Sequence, residues 1–261
     1  MADDLFCCKT KEGYVFKVLF ELLKNCVKTA TIKISKEGLT ISSIDTKRQL
    51  LLVIKMEKHN FLVFRSQAVM SISVNLTSVY NMLKTIKKKD GICLYIEANS
   101  PNKFHIIKDD MDQNERCANN IQIMKTQDIE YENIDEYKEP IIINAKKLQN
   151  TLKDILTTKG RVTEISSNGQ FVRFYCDNGS IMTADKTHGD IETPADESYR
   201  ETFDSALIAK LHKILGLTQN AKMYLSEASP MKLELNIGSL GTVSIYIKSR
   251  EIMENESSSS E

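Results

Sequence analysis

The residues whose types and spacing point to chemistry in this chain are lysines. They gather in four stretches whose apolar residues recur at helical spacing: Lys17, Lys24 and Lys28; Lys84, Lys87, Lys88 and Lys89; Lys146, Lys147, Lys153 and Lys159; Lys210, Lys213 and Lys222. Those stretches hold 14 cations against only Glu21 and Asp154, in a chain with 35 cations and 35 anions. Everything outside them is therefore anionic. One lysine-bearing face opposite a core face is ordinarily just solvated. Four of the same sign, brought to one surface, would form a cationic plate. Ammonium groups on flexible stems hold phosphates but lack the planar fork that reads a base edge, so the expected chemistry is sequence-independent attraction to a nucleic-acid backbone.

Catalytic constellations are missing. The chain has no GxxxxGKS/T phosphate loop, no GxGxxG, no GxSxG and no HExxH. His59, His105, His188 and His212 are scattered, and the six cysteines show no CxxC spacing, so neither a base nor a zinc site is expected. The acidic run at 109–115 lacks the glycine that a calcium loop needs at its sixth position and places Ile121 where the bidentate glutamate belongs. It reads as the tip of a hairpin. The expectation is a protein that is not an enzyme and carries no metal or cofactor.

The elements that must position the lysines come twice. Residues 75–106 align without a gap on residues 204–235, Ser100-Pro101 falling on Ser229-Pro230 and Lys84 on Lys213. Val79, Met82, Leu83 and Ile86 follow a helical stripe and lie over Ile208, Leu211, His212 and Leu215. Ile92, Leu94 and Ile96 alternate as in a half-buried strand and lie over Ala221, Met223 and Leu225. The first helix of each half repeats as well: Val15, Leu19, Leu22 and Leu23 in one, Leu148, Leu152, Ile155 and Leu156 in the other, all expected inward. Turn chemistry at Glu37-Gly38 returns at Asn168-Gly169. The fold class is α+β, with two duplicated domains that each pack two helices on antiparallel sheets.

The predicted division is residues 1–124, an acidic connector at 125–139, residues 140–250, and a Ser-rich acidic tail at 251–261 that is too polar to order itself. Each half is long enough to bury its own core. The opening Met1-Ala-Asp-Asp-Leu does not resemble a secretory leader, and the longest aliphatic run, 50–54, is far short of a membrane span. An intracellular protein with no membrane partner is expected.

Three segments, GLTISSIDTKRQLLLVIKM at 38–56, NLTSVYNMLK at 75–84 and SEASPMKLELNIGSLGTVSIYIKSR at 226–250, resemble the eukaryotic sliding clamps, the proliferating cell nuclear antigen family. The resemblance extends over essentially the whole chain and is close to what a large DNA virus would encode as a divergent copy. It implies the DNA clamp fold and a homotrimeric ring closed head to tail around duplex DNA. Lining the hole would be Lys17, Lys24, Lys84, Lys153, Lys210 and Lys213, with Lys87, Lys88, Lys146 and Lys147 as further candidates. Ring closure would pair the strand carrying Cys117, Ile121 and Ile123 with that carrying Ser180, Met182 and Ala184 of the next subunit. A clamp-binding peptide of a DNA polymerase or another replication or repair protein would fill a pocket formed by Ile44, Leu51, Ile134, Pro230, Tyr246 and Ile247. Lys248-Ser249 stands where the family has a small residue and proline, and Arg48 and Gln49 make the rim more basic. A clamp loader would be a further partner, and the site of action a nucleus or a viral replication compartment. A subunit of a heterotrimeric clamp, or a monomeric processivity factor that grips DNA by charge, remains the alternative.

Overall fold

The computed structural model describes residues 4–110, 115–125, 137, 139–168, 170–179, 182–189, 198–227 and 229–258. The chain forms two compact units, and neither is one continuous stretch. The first comprises residues 1–45, 52–130 and 236–243, the second residues 46–51, 131–235 and 244–261.

In the first unit, β1 (Asp4–Thr10) leads into α1 (Gly13–Cys26), followed by β2 (Thr29–Ile34), β3 (Gly38–Ile44), β4 (Leu50–Glu57, from Leu52 onward), β5 (Val63–Ser66) and β6 (Met70–Asn75). Then come α2 (Leu76–Leu83), β7 (Gly91–Glu97), β8 (Lys103–Asp110) and β9 (Glu115–Gln122). One sheet runs β5-β1-β7-β8-β9, with every neighbour antiparallel. In a second sheet β4, β3, β2 and β6 lie side by side. The spacing of Val15, Phe16, Leu19, Phe20, Leu22 and Leu23 gives α1 one wide apolar face, and all six are buried. Phe16 and Phe20, one turn apart, stack at 6.5 Å. Each such side chain contributes about 1.5–3 kcal/mol by leaving water. At the start of α1, Gly13 is needed because a Cβ there would stand 2.7 Å from the Asp90 carbonyl oxygen.

α1 packs against α2, whose first turn is capped by Asn75 accepting the Ser78 N–H at 2.9 Å. α2 is short. It ends at Leu83, so Lys87 and Lys88, read as helical, lie in the turn beyond. Asp90, fully buried, shapes that turn by accepting the Lys87 N–H at 2.8 Å and pairing with Lys108 at 3.1 Å.

The second unit contains β10 (Ile141–Asn144), α3 (Ala145–Thr158), β11 (Val162–Ser167), β12 (Phe171–Asp177), β13 (Thr183–Gly189) and β14 (Tyr199–Asp204). They are followed by α4 (Ser205–Ala209), which tightens into 3-10 turns over Lys210–Leu217, β15 (Asn220–Tyr224), β16 (Met231–Ile237, as far as Leu235), β17 (Gly241–Ile247, from Ser244) and α5 (Arg250–Ser258). One sheet runs β13-β12-β11-β14, and in the other β10, β15, β16 and β17 are neighbours. The repeat is visible in the caps. Asp204 accepts the N–H groups of Ala206 and Leu207 at the position that aligns with Asn75, and Asn144 does the same for Lys146 and Lys147.

Three sequence expectations are corrected here. Leu156, expected inward with Leu148, Leu152 and Ile155, is 53% exposed, because the buried arc of α3 extends to the opposite flank, through Thr151 and Thr158. Lys222 belongs to β15, where it pairs with Glu234 at 3.2 Å, and not to a helix. The tail expected to be disordered is helical through Ser258: Ser249 accepts the Ile252 N–H, Lys248 pairs with Glu256, and α5 packs on β14.

Candidate nucleic-acid interface

In the first unit, α1 carries Tyr14, Lys17, Glu21 and Lys24 on successive turns of one side, opposite its buried face, while Lys28, read as helical, lies in the bend after the helix and is exposed. The Lys17 ammonium donates to the Ile86 carbonyl at 3.1 Å and stands 5.8 Å from the Tyr14 ring centre. Lys88 reaches the same ring at 6.0 Å, and Lys24 lies 4.5 Å over Tyr80 of α2. Lys84, Lys87 and Lys88 are exposed. Lysines of α1 and of the turn after α2 therefore meet around two tyrosines that the charge pattern did not disclose. For Tyr14 the signal was present in its place one turn before Lys17; the contact of Lys24 with Tyr80 joins residues far apart in the chain, and no local spacing carried it.

In the second unit, Lys146, Asn150, Lys153 and Thr157 form an exposed row on α3. Lys146 donates to Gln149, whose amide nitrogen donates to the His212 carbonyl at 2.8 Å, tying α3 to the 3-10 turns that carry exposed Lys210 and Lys213. Lys147 departs from this row. It lies a quarter-turn away on the flank facing β13, near His188, whose ring bonds Thr151 at 2.9 Å. Burial, with the charges of Lys147 and Lys186, holds the His188 imidazole below its ordinary pKa.

The strands expected to close a ring lie at sheet edges. β9 ends the first unit's sheet and β13 ends the second unit's. Cys117 and Met182 are exposed and Ile123 is half-buried; Ile121 is turned into its own unit, so its side chain is not available to a neighbour. Ala184 pairs through its main chain with Cys176, and Ser180 lies outside the described residues. Beside β9 an open groove of about 750 Å³ is lined by Ser78, Asn81, Met82, Cys117 and Asn119.

Among the pocket residues of the second unit, Leu51, Pro230 and Tyr246 are half-buried, whereas Ile247 is fully buried. Ile247 cannot line an open pocket, because alternation along β17 sends Ile245 and Ile247 to the core and Tyr246 outward. Ile44, half-buried, belongs to the first unit, and Ile134 lies outside the described residues. The structure adds what spacing did not suggest. The Lys232 ammonium sits 4.7 Å from the Tyr224 ring and 5.8 Å from those of Tyr137 and Tyr246, and pairs with Glu234 at 3.2 Å. The Tyr137 hydroxyl donates to the Pro230 carbonyl at 2.7 Å, and burial, with Tyr246 adding to it, pushes the phenol's pKa well up.

Among the described residues no group of three or more His, Cys, Asp or Glu is placed to hold a metal ion, and no helix is long and apolar enough to cross a membrane.

Residues 5–133 match the family model of the proliferating cell nuclear antigen N-terminal domain. A probable DNA polymerase sliding clamp 1 from Paramecium bursaria Chlorella virus 1 is 23% identical over 95% of this chain and 98% of its own length. The proliferating cell nuclear antigen of Chaetomium thermophilum is 20% identical over 92% and 95% of the two chains. Among solved structures, the crystal structure of the Entamoeba histolytica protein of that name superposes with a TM-score of 0.81 at 18% identity, covering 95% of this chain and 99% of the other. Likeness to viral and cellular clamps alike, over nearly the full length and in fold as well as sequence, makes this chain a divergent member of the proliferating cell nuclear antigen family of sliding clamps.

Proposed function

We propose that the protein works as a DNA sliding clamp, a processivity factor that encircles duplex DNA as a homotrimer and tethers a polymerase to it. The observation that carries this reading is the duplicated lysine-bearing helix pair, one in each unit, with helix caps at the repeated positions Asn75 and Asp204. Lysines of these helices face phosphates in a ring of three subunits. Lys17, Lys24, Lys84, Lys153, Lys210 and Lys213 supply the main contacts, and Lys87, Lys88 and Lys146 the flanking ones. Lys147, on the β13 side of α3, contributes least. Contacts that are individually weak and exchange readily let the ring move, while topology keeps it on the duplex. No chemical step is assigned to the chain.

Closure pairs the exposed edge of β9 in one subunit with that of β13 in the next, removing two unpaired edges from each subunit. The polymerase, and other replication or repair proteins, dock through a short peptide against Pro230, Tyr246 and Leu51. Tethering raises their local concentration at the template without any catalytic contribution from the clamp. A loader opens the ring, and the site of action is wherever the cognate replication machinery assembles.

Light scattering tests the assembly: a mass near three times 29.7 kDa is expected at micromolar concentration. Retention on nicked circular DNA after loading, with loss on linearisation, tests encirclement. A strict monomer that binds linear duplex tightly and salt-sensitively would replace the ring by a charge-based processivity factor, and trimers formed only with a second polypeptide would make this chain one subunit of a heterotrimer.

A further inference from the structure

A cleft of about 430 Å³ opens in the second unit where the C-terminal end of α3 lies beside the starts of α4 and α5. Its floor is apolar, formed by Ile155, Ala206, Ala209 and the exposed Leu156. Three cations ring it: Lys159, Arg161 and Arg250, all exposed and, among the described residues, without an ion-pair or hydrogen-bond partner for their side chains. The acid at the lip, Asp204, already accepts the Ala206 and Leu207 N–H groups as the cap of α4.

The cations are held there by local structure. Lys159 closes α3 with a φ of 58°, a left-handed conformation more often left to glycine. The glycine is used one residue later. A Cβ at Gly160 would run into the Asp177 carbonyl and stand 2.6 Å from Cys176 Sγ, so the chain packs Gly160 against β12 and gives the left-handed position to a lysine.

We propose that this cleft is a docking site for an acidic segment of a partner protein, with an aliphatic or aromatic side chain seated on Leu156 and flanking carboxylates on Lys159, Arg161 and Arg250. Charge complementarity selects an anion, and the two guanidinium forks suit carboxylates. The apolar floor selects protein over nucleic acid, because a phosphodiester backbone has no apolar group with which to cover Leu156. The cleft shares no residue with the ten lysines of the helices or with the tyrosines around Lys232, so it stands apart from the clamp reading and is tested separately.

The test is fluorescence anisotropy on the full chain with a labelled peptide of aspartates and glutamates flanking a Leu-Phe pair. Its controls are the same peptide with the pair changed to serines, the same peptide with its acids changed to lysines, and a short DNA duplex. The anchored acidic peptide is expected to bind. Leu156→Ser, and separately the Arg161→Glu/Arg250→Glu pair, should each weaken it about tenfold or more. All three positions are exposed, and an unchanged thermal midpoint verifies folding. Binding that ignores the Leu-Phe pair, equal loss of duplex binding in the same variants, or affinity unchanged by either substitution overturns the proposal. Retention on circular DNA should persist in these variants, which separates failure here from failure of the clamp reading.

Discussion

Glu251 and Thr202 are joined by three hydrogen bonds: the carboxylate accepts the Thr202 N–H at 3.0 and 3.1 Å and its hydroxyl at 2.7 Å. This contact fastens the first turn of α5 to β14. Burial alone would raise the Glu251 carboxyl, but the bonds from Thr202 and Ser249 outweigh it and hold the group below its ordinary pKa. A depressed pKa contributes stability that is fully present above the unfolded value, near the usual carboxylate range, and is lost as pH falls through the folded one. Amide exchange over residues 250–258 should therefore accelerate on acidification. Glu251→Ala should produce the same acceleration at neutral pH and cost about 1–2 kcal/mol in urea unfolding.

Nearby Glu201 carries the opposite sign. Burial raises its carboxyl, only partly countered by hydrogen bonds from Tyr199 and Ser249. Its ionisation opposes folding at neutral pH, and that cost fades as pH falls through the raised value. Glu201→Gln should leave stability at pH 7 unchanged or slightly improved, whereas Glu201→Leu, which abandons the Tyr199 hydroxyl at 2.9 Å, should lower it. Urea midpoints for the two variants decide this.

Cys7 and Cys93, on neighbouring strands β1 and β7, bring their sulfurs to 3.9 Å. Hydrogen bonding with Cys93 pulls the Cys7 thiol down to about 7, against the opposing effect of burial. Alkylation of Cys7 should accordingly rise around pH 7, and in Cys93→Ala its midpoint should move toward that of an ordinary thiol. Diamide should convert the pair to a disulfide, the two thiols giving up two protons and two electrons as the diazene is reduced to a hydrazine. Mass spectrometry should find the crosslink between those two cysteines and not at Cys8, which is buried on the opposite face of the sheet.

Lys232→Met keeps the aliphatic stem and removes the charge from the three tyrosine rings. Each ring contact of this kind is worth about 0.5–2 kcal/mol depending on its desolvation. Faster amide exchange at Tyr137 and weaker docking of a clamp-binding peptide are expected, with the trimer mass unchanged. Unaltered exchange at Tyr137 would show that the Pro230 hydrogen bond alone holds it.

Gly160→Ala drives a methyl into the Asp177 carbonyl and should cost about 1–3 kcal/mol, read as a lower denaturation midpoint. Gly216→Ala meets its nearest neighbour, the Gln149 amide nitrogen, at an ordinary 3.6 Å and should be neutral.

What the chain's sequence determined by itself is whatever depends on neighbours a few residues apart. The apolar stripe of α1, the alternation of β7 and β15 and the sign of the helix faces all follow from such spacings, and so does the duplication. Tertiary structure decided what depends on residues distant in the chain. The acidic tail looked too polar to order, and it is Thr202, far back in the sequence, that holds it. Leu156 fits the apolar pattern of α3, yet the helix turns its opposite flank, with Thr151 and Thr158, into the core and leaves Leu156 in solvent. Lys232 looks like any outward strand residue until folding sets Tyr137, Tyr224 and Tyr246 around it. Short-range periodicity specifies which way a side chain faces; only long-range packing specifies what it meets there.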